Sequence, residues 1–154
     1  MLVFLIHVRD PQFYALPVKT RAKNGHIRVM GFPPIGIMSL SAVLKRAGHE
    51  CVMFDQANPE TPNEVIIEEI NRQQPALVGL SFLSTTSYPY AKILARQIRS
   101  ASPRANLAFG GVFASLNASL VKRQCPEVDF VCRGDGEQLI LDLIERWDDP
   151  QDVG

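Results

Sequence analysis

The chain has 154 residues, of which 46% are hydrophobic and 21% charged, and this size and composition suit one folded, soluble domain with a sizeable core. Sixteen basic residues balance sixteen acidic ones, so the charge offers no footprint for nucleic acid, and we expect none as a partner. The opening apolar run, residues 2–8, is too short to cross a bilayer and has no basic segment before it, so we expect neither a signal peptide nor membrane insertion.

The cysteines are Cys51, Cys125 and Cys132, an odd number without a CxxC pair. This pattern argues against a disulfide framework and against a zinc or iron–sulfur site built by this chain alone. We therefore expect three small buried thiols in a reducing compartment, which favours a cytoplasmic location.

In chain order, short apolar runs alternate with helical patterns. Residues 2–6 predict a first strand, followed by a long loop and a helix over 35–47, which Pro33 and Pro34 precede and Gly48 ends. Residues 51–54 predict the second strand. A capping box with Thr61 as N-cap and Glu64 reaching back then opens the second helix.

The second half of the chain continues the alternation. We predict strands over 77–80, 107–109 and 130–132, and helices over 88–100, 115–123 and 137–147, with Ser87 capping the first of these. Five such units imply right-handed crossovers and a parallel sheet that is covered on both faces. The predicted fold is α/β, flavodoxin-like (Rossmann-like) and doubly wound, with a five-stranded parallel sheet in the order 2-1-3-4-5. The domain would span residues 1–148, with 149–154 as a linker-like tail.

In such a sheet, ligands bind beyond the carboxyl ends of the strands, at the switch point between strands 1 and 3. The loop after strand 1 has about 25 residues, well beyond the usual length, and it contains Asp10 and Gln12. The loop after strand 3 is rich in hydroxyl groups. The paired glycines after strand 4 would let a bulky ligand approach the backbone closely. The loop after strand 5 carries Gly134 and, at the start of a helix, Glu137.

Several short motifs occur at the ends of the predicted strands and helices. Ser81-Phe82-Leu83 forms an S-x-L motif after strand 3, and Gly110-Gly111 forms a G-G motif after strand 4. Three further stretches, with the patterns P-P-x-G, A-G-H-E and V-D-x-V-x-R-G-[DE]-G-E, are Pro33-Pro34-Ile35-Gly36, Ala47-Gly48-His49-Glu50 and the segment from Val128 to Glu137. Together these motifs resemble the N-terminal cobalamin-binding domain of B12-dependent radical SAM enzymes, and the resemblance covers residues 1 to about 148.

The resemblance implies a cobalamin bound with its nucleotide tail threaded between strands 1 and 3. The D-x-H-x-x-G motif of other cobalamin domains is missing after strand 1, so we expect base-off cobalamin without a histidine on its lower face. The cofactor-binding residues that it implies are Asp10, Gln12, Ser81, Leu83, Ser84, Thr85, Gly110, Gly111, Gly134 and Glu137. We expect valine at Gly110 or at Gly111 to block corrinoid binding and to leave the fold intact.

The radical chemistry of the family needs S-adenosylmethionine and a [4Fe–4S] cluster on a C-x₃-C-x₂-C triplet, which does not occur in this sequence. The resemblance therefore implies either a module of a longer polypeptide, in which a catalytic radical SAM domain follows, or a stand-alone binder. In both cases this module is not catalytic alone. The full enzyme would be a methyltransferase or a cyclase that acts on tetrapyrroles, such as anaerobic magnesium-protoporphyrin monomethyl ester cyclase.

Two other functions of a flavodoxin-like fold remain as alternatives. An FMN- or nucleotide-binding protein would place a short hydroxyl-rich phosphate loop after strand 1, where this chain has its long loop. A receiver-type regulatory module would place an aspartate at the end of strand 3, where Ser81 and Phe82 stand. A corrinoid shuttle would normally carry the histidine motif, and no nucleophile–base pair supports a hydrolase.

Overall fold

The fold is an α/β sandwich built on one parallel sheet, and the computed structural model describes residues 1–10, 33–58 and 60–146. The strands and helices alternate along these residues: β1 (Leu2–His7), α1 (Ile35–Arg46), β2 (Glu50–Asp55), α2 (Asn63–Gln73), β3 (Leu77–Ser81), α3 (Tyr88–Ala101), β4 (Asn106–Gly110), α4 (Val112–Leu116), α5 (Ala118–Gln124), β5 (Phe130–Val131) and α6 (Gly136–Glu145).

The five strands lie in the order β2-β1-β3-β4-β5, and every neighbouring pair is parallel. The predicted fold class and strand order are therefore confirmed. β1 lies between β2 and β3. The connection after β1 leads to β2 on one side of it, and the connection after β2 leads to β3 on its other side. The strand order therefore reverses at β1, which creates the switch point. His7 of β1 is in register with Asp55 of β2 and with Ser81 of β3, so these three residues mark the carboxyl edge.

Side chains alternate between the two faces of the sheet and form a separate core on each. On one face, residues such as Phe4, Ile6 and Leu80 pack with the buried sides of α2 and α3. On the other face, Val3, Leu5 and Leu77 pack with α1 and α6. Because both faces of the sheet are covered, the strands need apolar residues on both sides. Their sequences are therefore continuous hydrophobic runs.

Two predicted helix caps are wrong. Thr61 does not cap α2, because Pro62 is extended and the helix begins at Asn63, whose buried amide bonds the side chains of Gln56 and Gln97. Ser87 already has helical backbone angles and makes no side-chain cap. The cap lies three residues earlier, where the Ser84 hydroxyl accepts a hydrogen bond from the Ser87 N–H at 3.2 Å.

Other differences concern lengths and burial. The helix predicted over 115–123 is two helices, α4 and α5, which meet at Asn117. β5 has two residues instead of three, whereas the other strands are longer than predicted. Cys125 is buried, but Cys51 and Cys132 are only partly buried, so the expectation of three buried thiols holds for one. Trp147 and the linker-like tail lie outside the described residues.

Among the described residues, no helix combines the length and the apolar character that crossing a membrane requires.

Candidate functional site

A cavity of about 260 Å³ lies between the sheet and helices α1 and α6. It follows β3 from Ser81 at the carboxyl edge down to Leu77 at the start of the strand, a depth of about 13 Å at the usual rise per residue. Its helix side is formed by Ile37 and Leu40 of α1 and by residues 139, 140 and 143 of α6. The cavity is therefore a deep slot between two layers that opens where the fold places ligands.

Small residues on the central strands make room for this cavity. Gly79 of β3 is in register with Ala108 of β4, and Ser81 is in register with Gly110 one step further along the same face. Larger side chains at these four positions would fill the space between the sheet and the helices. Gly79 and Ala108 were not among the residues that we predicted for the site, although a glycine inside a strand is a known signal of close approach.

Gly110, the last residue of β4, and Gly111, which follows it, have different structural roles. Gly111 has a φ of +92°, and a Cβ there would lie 3.0 Å from the Phe82 amide nitrogen and still closer to the Phe82 carbonyl oxygen. Glycine is therefore required at this position by the backbone itself. A Cβ on Gly110 would meet only the Cys132 Cβ, at 3.8 Å. The expectation that valine at Gly111 leaves the fold intact is wrong, because the clash is with rigid backbone.

The β5–α6 turn forms the rim of the cavity and is held from two sides. The Gly134 N–H donates to the Ser115 hydroxyl at 3.2 Å, and Gly134 has a φ of +81°. The Ser39 hydroxyl of α1 donates to Glu137 Oε1 at 2.6 Å. That hydrogen bond, together with the Glu137 backbone N–H, lowers the pKa of the Glu137 carboxyl. The rim therefore carries a charged carboxylate at neutral pH.

Cys132 lines the cavity beside Gly110. Burial raises the pKa of its thiol to about 11, so the group is neutral at physiological pH. Of the described residues, no group of three or more histidine, cysteine or acidic side chains is placed to bind a metal ion.

A second group of predicted residues lies at the carboxyl edge, outside the cavity lining. Asp10 accepts hydrogen bonds from the hydroxyls of Ser84, at 3.0 Å, and of Thr86, at 2.9 Å. Leu83 is 60% exposed, and Thr85 is exposed as well. Thr86 was not in our predicted set, and its role became visible only through the fold. Gln12 lies outside the described residues.

The structure thus divides the predicted site residues into two sets. Ser81, Gly110, Gly111, Gly134 and Glu137 line the cavity. Asp10, Leu83, Ser84 and Thr85 do not line it. They belong to the loops that follow β1 and β3. The cavity can take an apolar, ring-sized group, and the edge residues offer a polar surface beside its opening.

The model of the B12 binding domain family matches residues 29–144 of the chain. The chain belongs to this family. The match covers both walls of the cavity except for β1, and it includes the paired glycines and the β5–α6 turn. It confirms the resemblance that the sequence motifs indicate, and it gives no support to an FMN-binding or receiver function.

Comparison with individual proteins agrees with the family. The chain is 29% identical over 123 residues to the anaerobic magnesium-protoporphyrin IX monomethyl ester cyclase of Synechocystis, covering 79% of this chain and 24% of that protein. It is 28% identical over 121 residues to an uncharacterized methyltransferase of Pyrococcus horikoshii, covering 77% of this chain and 26% of that protein. The chain therefore spans about a quarter of the length of these curated relatives.

Two solved structures share the fold. The cobalamin-dependent S-adenosylmethionine radical enzyme OxsB, with aqua-cobalamin and S-adenosylmethionine bound, superposes with a TM-score of 0.74 at 18% identity, over 96% of this chain and 18% of that chain. The radical S-adenosylmethionine methyltransferase TsrM of Kitasatospora setae, with cobalamin and a [4Fe–4S] cluster bound, gives a TM-score of 0.69 at 16% identity, over 94% of this chain and 24% of that chain.

Proposed function

We propose that this B12-binding domain holds the corrinoid of a larger radical SAM enzyme, which is a methyltransferase or a cyclase. The observation that carries the proposal is the cavity beneath Ser81 and Gly110, in a chain whose family is that of B12-binding domains. Pockets for drug-sized ligands occupy roughly 300–1,000 Å³, and a corrinoid is larger than such a ligand. A whole corrinoid is therefore too large for this cavity. Its volume of about 260 Å³ instead suits one part of the cofactor, the nucleotide tail.

The residues around the cavity fit that tail in shape and chemistry. The apolar walls would contact the planar base, and the Ser81 hydroxyl at the top of β3 would donate a hydrogen bond to a ring nitrogen. Gly110 leaves open space where the tail enters, since the nearest atom to a Cβ at this position is 3.8 Å away. Glu137 and the turn at Gly134 would flank the sugar, whose hydroxyls can donate to a carboxylate oxygen.

The edge residues would support the corrin ring. Leu83 offers an exposed apolar side chain, while Asp10 and Ser84 form a hydrogen-bonded polar group next to it. Thr85 follows Ser84, and Gln12 is two residues from Asp10 in the sequence, so we keep both as proposed contacts of the ring or of its amide side chains. Cobalamin supplies the chemistry of its cobalt centre, and the protein supplies its position and surroundings.

S-adenosylmethionine and the [4Fe–4S] cluster would be bound by a radical SAM domain in the same polypeptide. This part of the proposal is supported by the two solved structures that share the fold, since OxsB has S-adenosylmethionine bound and TsrM has a [4Fe–4S] cluster bound. It is also supported by curated relatives about four times as long as the matched segment. The free cysteines Cys51, Cys125 and Cys132 suit a reducing compartment, which agrees with a cytoplasmic enzyme.

The direct test is to mix the purified chain with hydroxocobalamin, remove free ligand by gel filtration, and record the visible spectrum of the protein peak. We expect the corrinoid to co-elute with a base-off spectrum, because a tail held in the cavity cannot coordinate cobalt. FMN, treated in the same way, should not co-elute. A colourless peak from folded protein, or co-elution of FMN alone, would contradict the proposal.

We also propose that no protein imidazole coordinates the cobalt. The position of the motif histidine is held by Gln12, and His7 is the one described histidine that lies at the carboxyl edge. Electron paramagnetic resonance of the reduced cob(II)alamin complex tests this proposal, because a nitrogen ligand splits each cobalt line into three. We expect unsplit lines in the wild type and in His7→Ala. A threefold splitting in the wild type that disappears in His7→Ala would show that His7 is the ligand.

A further inference from the structure

We infer that the cavity selects corrinoids by the base of their nucleotide tail, favouring an apolar benzimidazole over adenine, and that Gly79 gives the base its room. This inference rests on the proposed function, because it assumes that the tail enters the cavity. It goes further by naming the class of corrinoid that the domain binds best and a residue that determines the choice.

The first step concerns the polar groups that a buried base could meet. The side chains that line the cavity with polar atoms are Ser81, Cys132, Asp135 and Glu137. All four lie at the end of β3 or in the segment after β5, which is the carboxyl edge of the sheet. The other lining side chains are hydrocarbon. On the strands, Leu5 and Ala108 lie level with Gly79, and Leu77 lies deeper, two residues before Gly79 on β3.

The backbone of the sheet offers no substitute for the missing side-chain partners. β3 is an inner strand, with β1 on one side and β4 on the other, so its N–H and C=O groups point along the sheet to these neighbours. The two helices also line the cavity with their first turns, which follow the carboxyl ends of β1 and β5 and have free N–H groups there. Beyond these first turns, the helix walls use their backbone groups within the helices. A base that reaches the deep end of the cavity therefore contacts carbon atoms on both sides.

The second step compares two bases that corrinoids carry. Dimethylbenzimidazole has methyl groups on its six-membered ring, whereas adenine has an exocyclic amine and additional ring nitrogens there. Burying a polar group without a partner costs roughly 5- to 140-fold in affinity, which is about 1–3 kcal/mol at 1.4 kcal/mol per tenfold. The methyl groups, in contrast, gain from contact with the leucine and isoleucine side chains of α1 and α6.

The third step concerns Gly79, in the interior of β3. Its φ lies outside the left-handed region, so the backbone does not require glycine there. A Cβ would lie 3.0 Å from Leu5 Cδ2, the flexible end of a side chain, and 3.9 Å from the Phe4 carbonyl oxygen. Glycine weakens a strand, and neither φ nor a rigid neighbour explains it at this position. Its effect is to leave the sheet wall of the cavity open between Leu5 and Ala108.

The first experiment measures the affinity of the wild-type chain for three corrinoids: cobalamin, the corresponding cobamide with adenine as its base, and cobinamide, which has no nucleotide. We expect cobalamin to bind on the order of tenfold more tightly than the adenine cobamide. Equal affinities for cobalamin and the adenine cobamide would overturn the selectivity. If the chain binds none of the three, the proposed function itself fails.

The second experiment uses Gly79→Ala, whose extra methyl group and displaced Leu5 side chain enter the space for the base. We expect its affinity for cobalamin to fall about tenfold and its affinity for cobinamide to stay unchanged. Ser100→Thr adds one methyl group at an exposed position of α3, on the other side of the sheet, and should change neither affinity. An unchanged cobalamin affinity in Gly79→Ala, or an equal loss for cobinamide, would remove Gly79 from the recognition of the base. Thermal unfolding confirms that both variants are folded.

Discussion

At the scale of single residues, Gly110 and Gly111 show how one sequence motif combines two requirements. Gly111 has a positive φ and lies against the Phe82 backbone, so it shapes the turn into α4. Gly110 has ordinary surroundings and lines the cavity. The sequence predicted the importance of the pair, but the division of roles depends on backbone contacts that bring residues of β3 and β4 together.

This division predicts different outcomes for two neighbouring substitutions. Gly110→Val should fold normally and bind cobalamin at least tenfold more weakly, because its side chain occupies the upper part of the cavity. Gly111→Val should lose stability in the absence of any ligand, because its side chain meets rigid backbone and adopts an unfavourable φ. Thermal unfolding and a cobalamin titration of both variants separate the two effects. Equal stability of the two variants, or normal cobalamin binding by Gly110→Val, would contradict the assignment.

At the scale of elements, the short strand β5 depends on one side chain that precedes it. Asp129 Oδ2 accepts hydrogen bonds from the Leu107 N–H, at 2.7 Å, and from Arg99 Nη2, at 2.6 Å. Arg99 also donates to the carbonyl oxygens of Ala105 and Glu127. Asp129, the aspartate of the V-D-x-V segment, therefore joins β4, β5 and α3. It has a structural role and does not line the cavity.

Asp129→Ala should lower the free energy of unfolding by about 1–3 kcal/mol, because it leaves the N–H of the buried Leu107 without an acceptor. Most of the loss should come from that N–H, since the ion pair with Arg99 is partly exposed and contributes less. Asp129→Asn retains a carbonyl oxygen and should lose less than Asp129→Ala. Urea unfolding of both variants measures the difference. A loss in Asp129→Asn as large as that in Asp129→Ala would assign the effect to the charge.

The elements themselves could be predicted where hydrophobic periodicity was strong. α1, α3 and the four longer strands were recognised because their buried faces recur at regular intervals. The capping residues were not predicted correctly. The cap of α3 is Ser84, about one helical turn before the helix, and the Asn63 side chain at the start of α2 forms hydrogen bonds with Gln56 and Gln97. Such choices depend on which neighbours the fold supplies, and local sequence carries little information about them.

At the scale of the whole molecule, the topology was predictable and the cavity was not. Five βα units and right-handed crossovers leave few arrangements, and the order 2-1-3-4-5 is a common one. The cavity instead arises where α1 and α6 cross small residues on β3 and β4, which are distant in sequence. Ser39 and Ala108 gave no recognisable signal for this reason, whereas Gly79, a glycine inside a strand, did give one.

The most direct test of the central claim, that the cavity takes the cofactor, is amide hydrogen exchange with and without cobalamin. We expect slower exchange in the segments around the cavity opening, residues 81–83, 110–115 and 133–138. The groove between α2 and α3, lined by Glu64, Ile67, Arg96 and Ser100, lies on the opposite face and should not change. Slower exchange in that groove, with none at the cavity opening, would contradict the account.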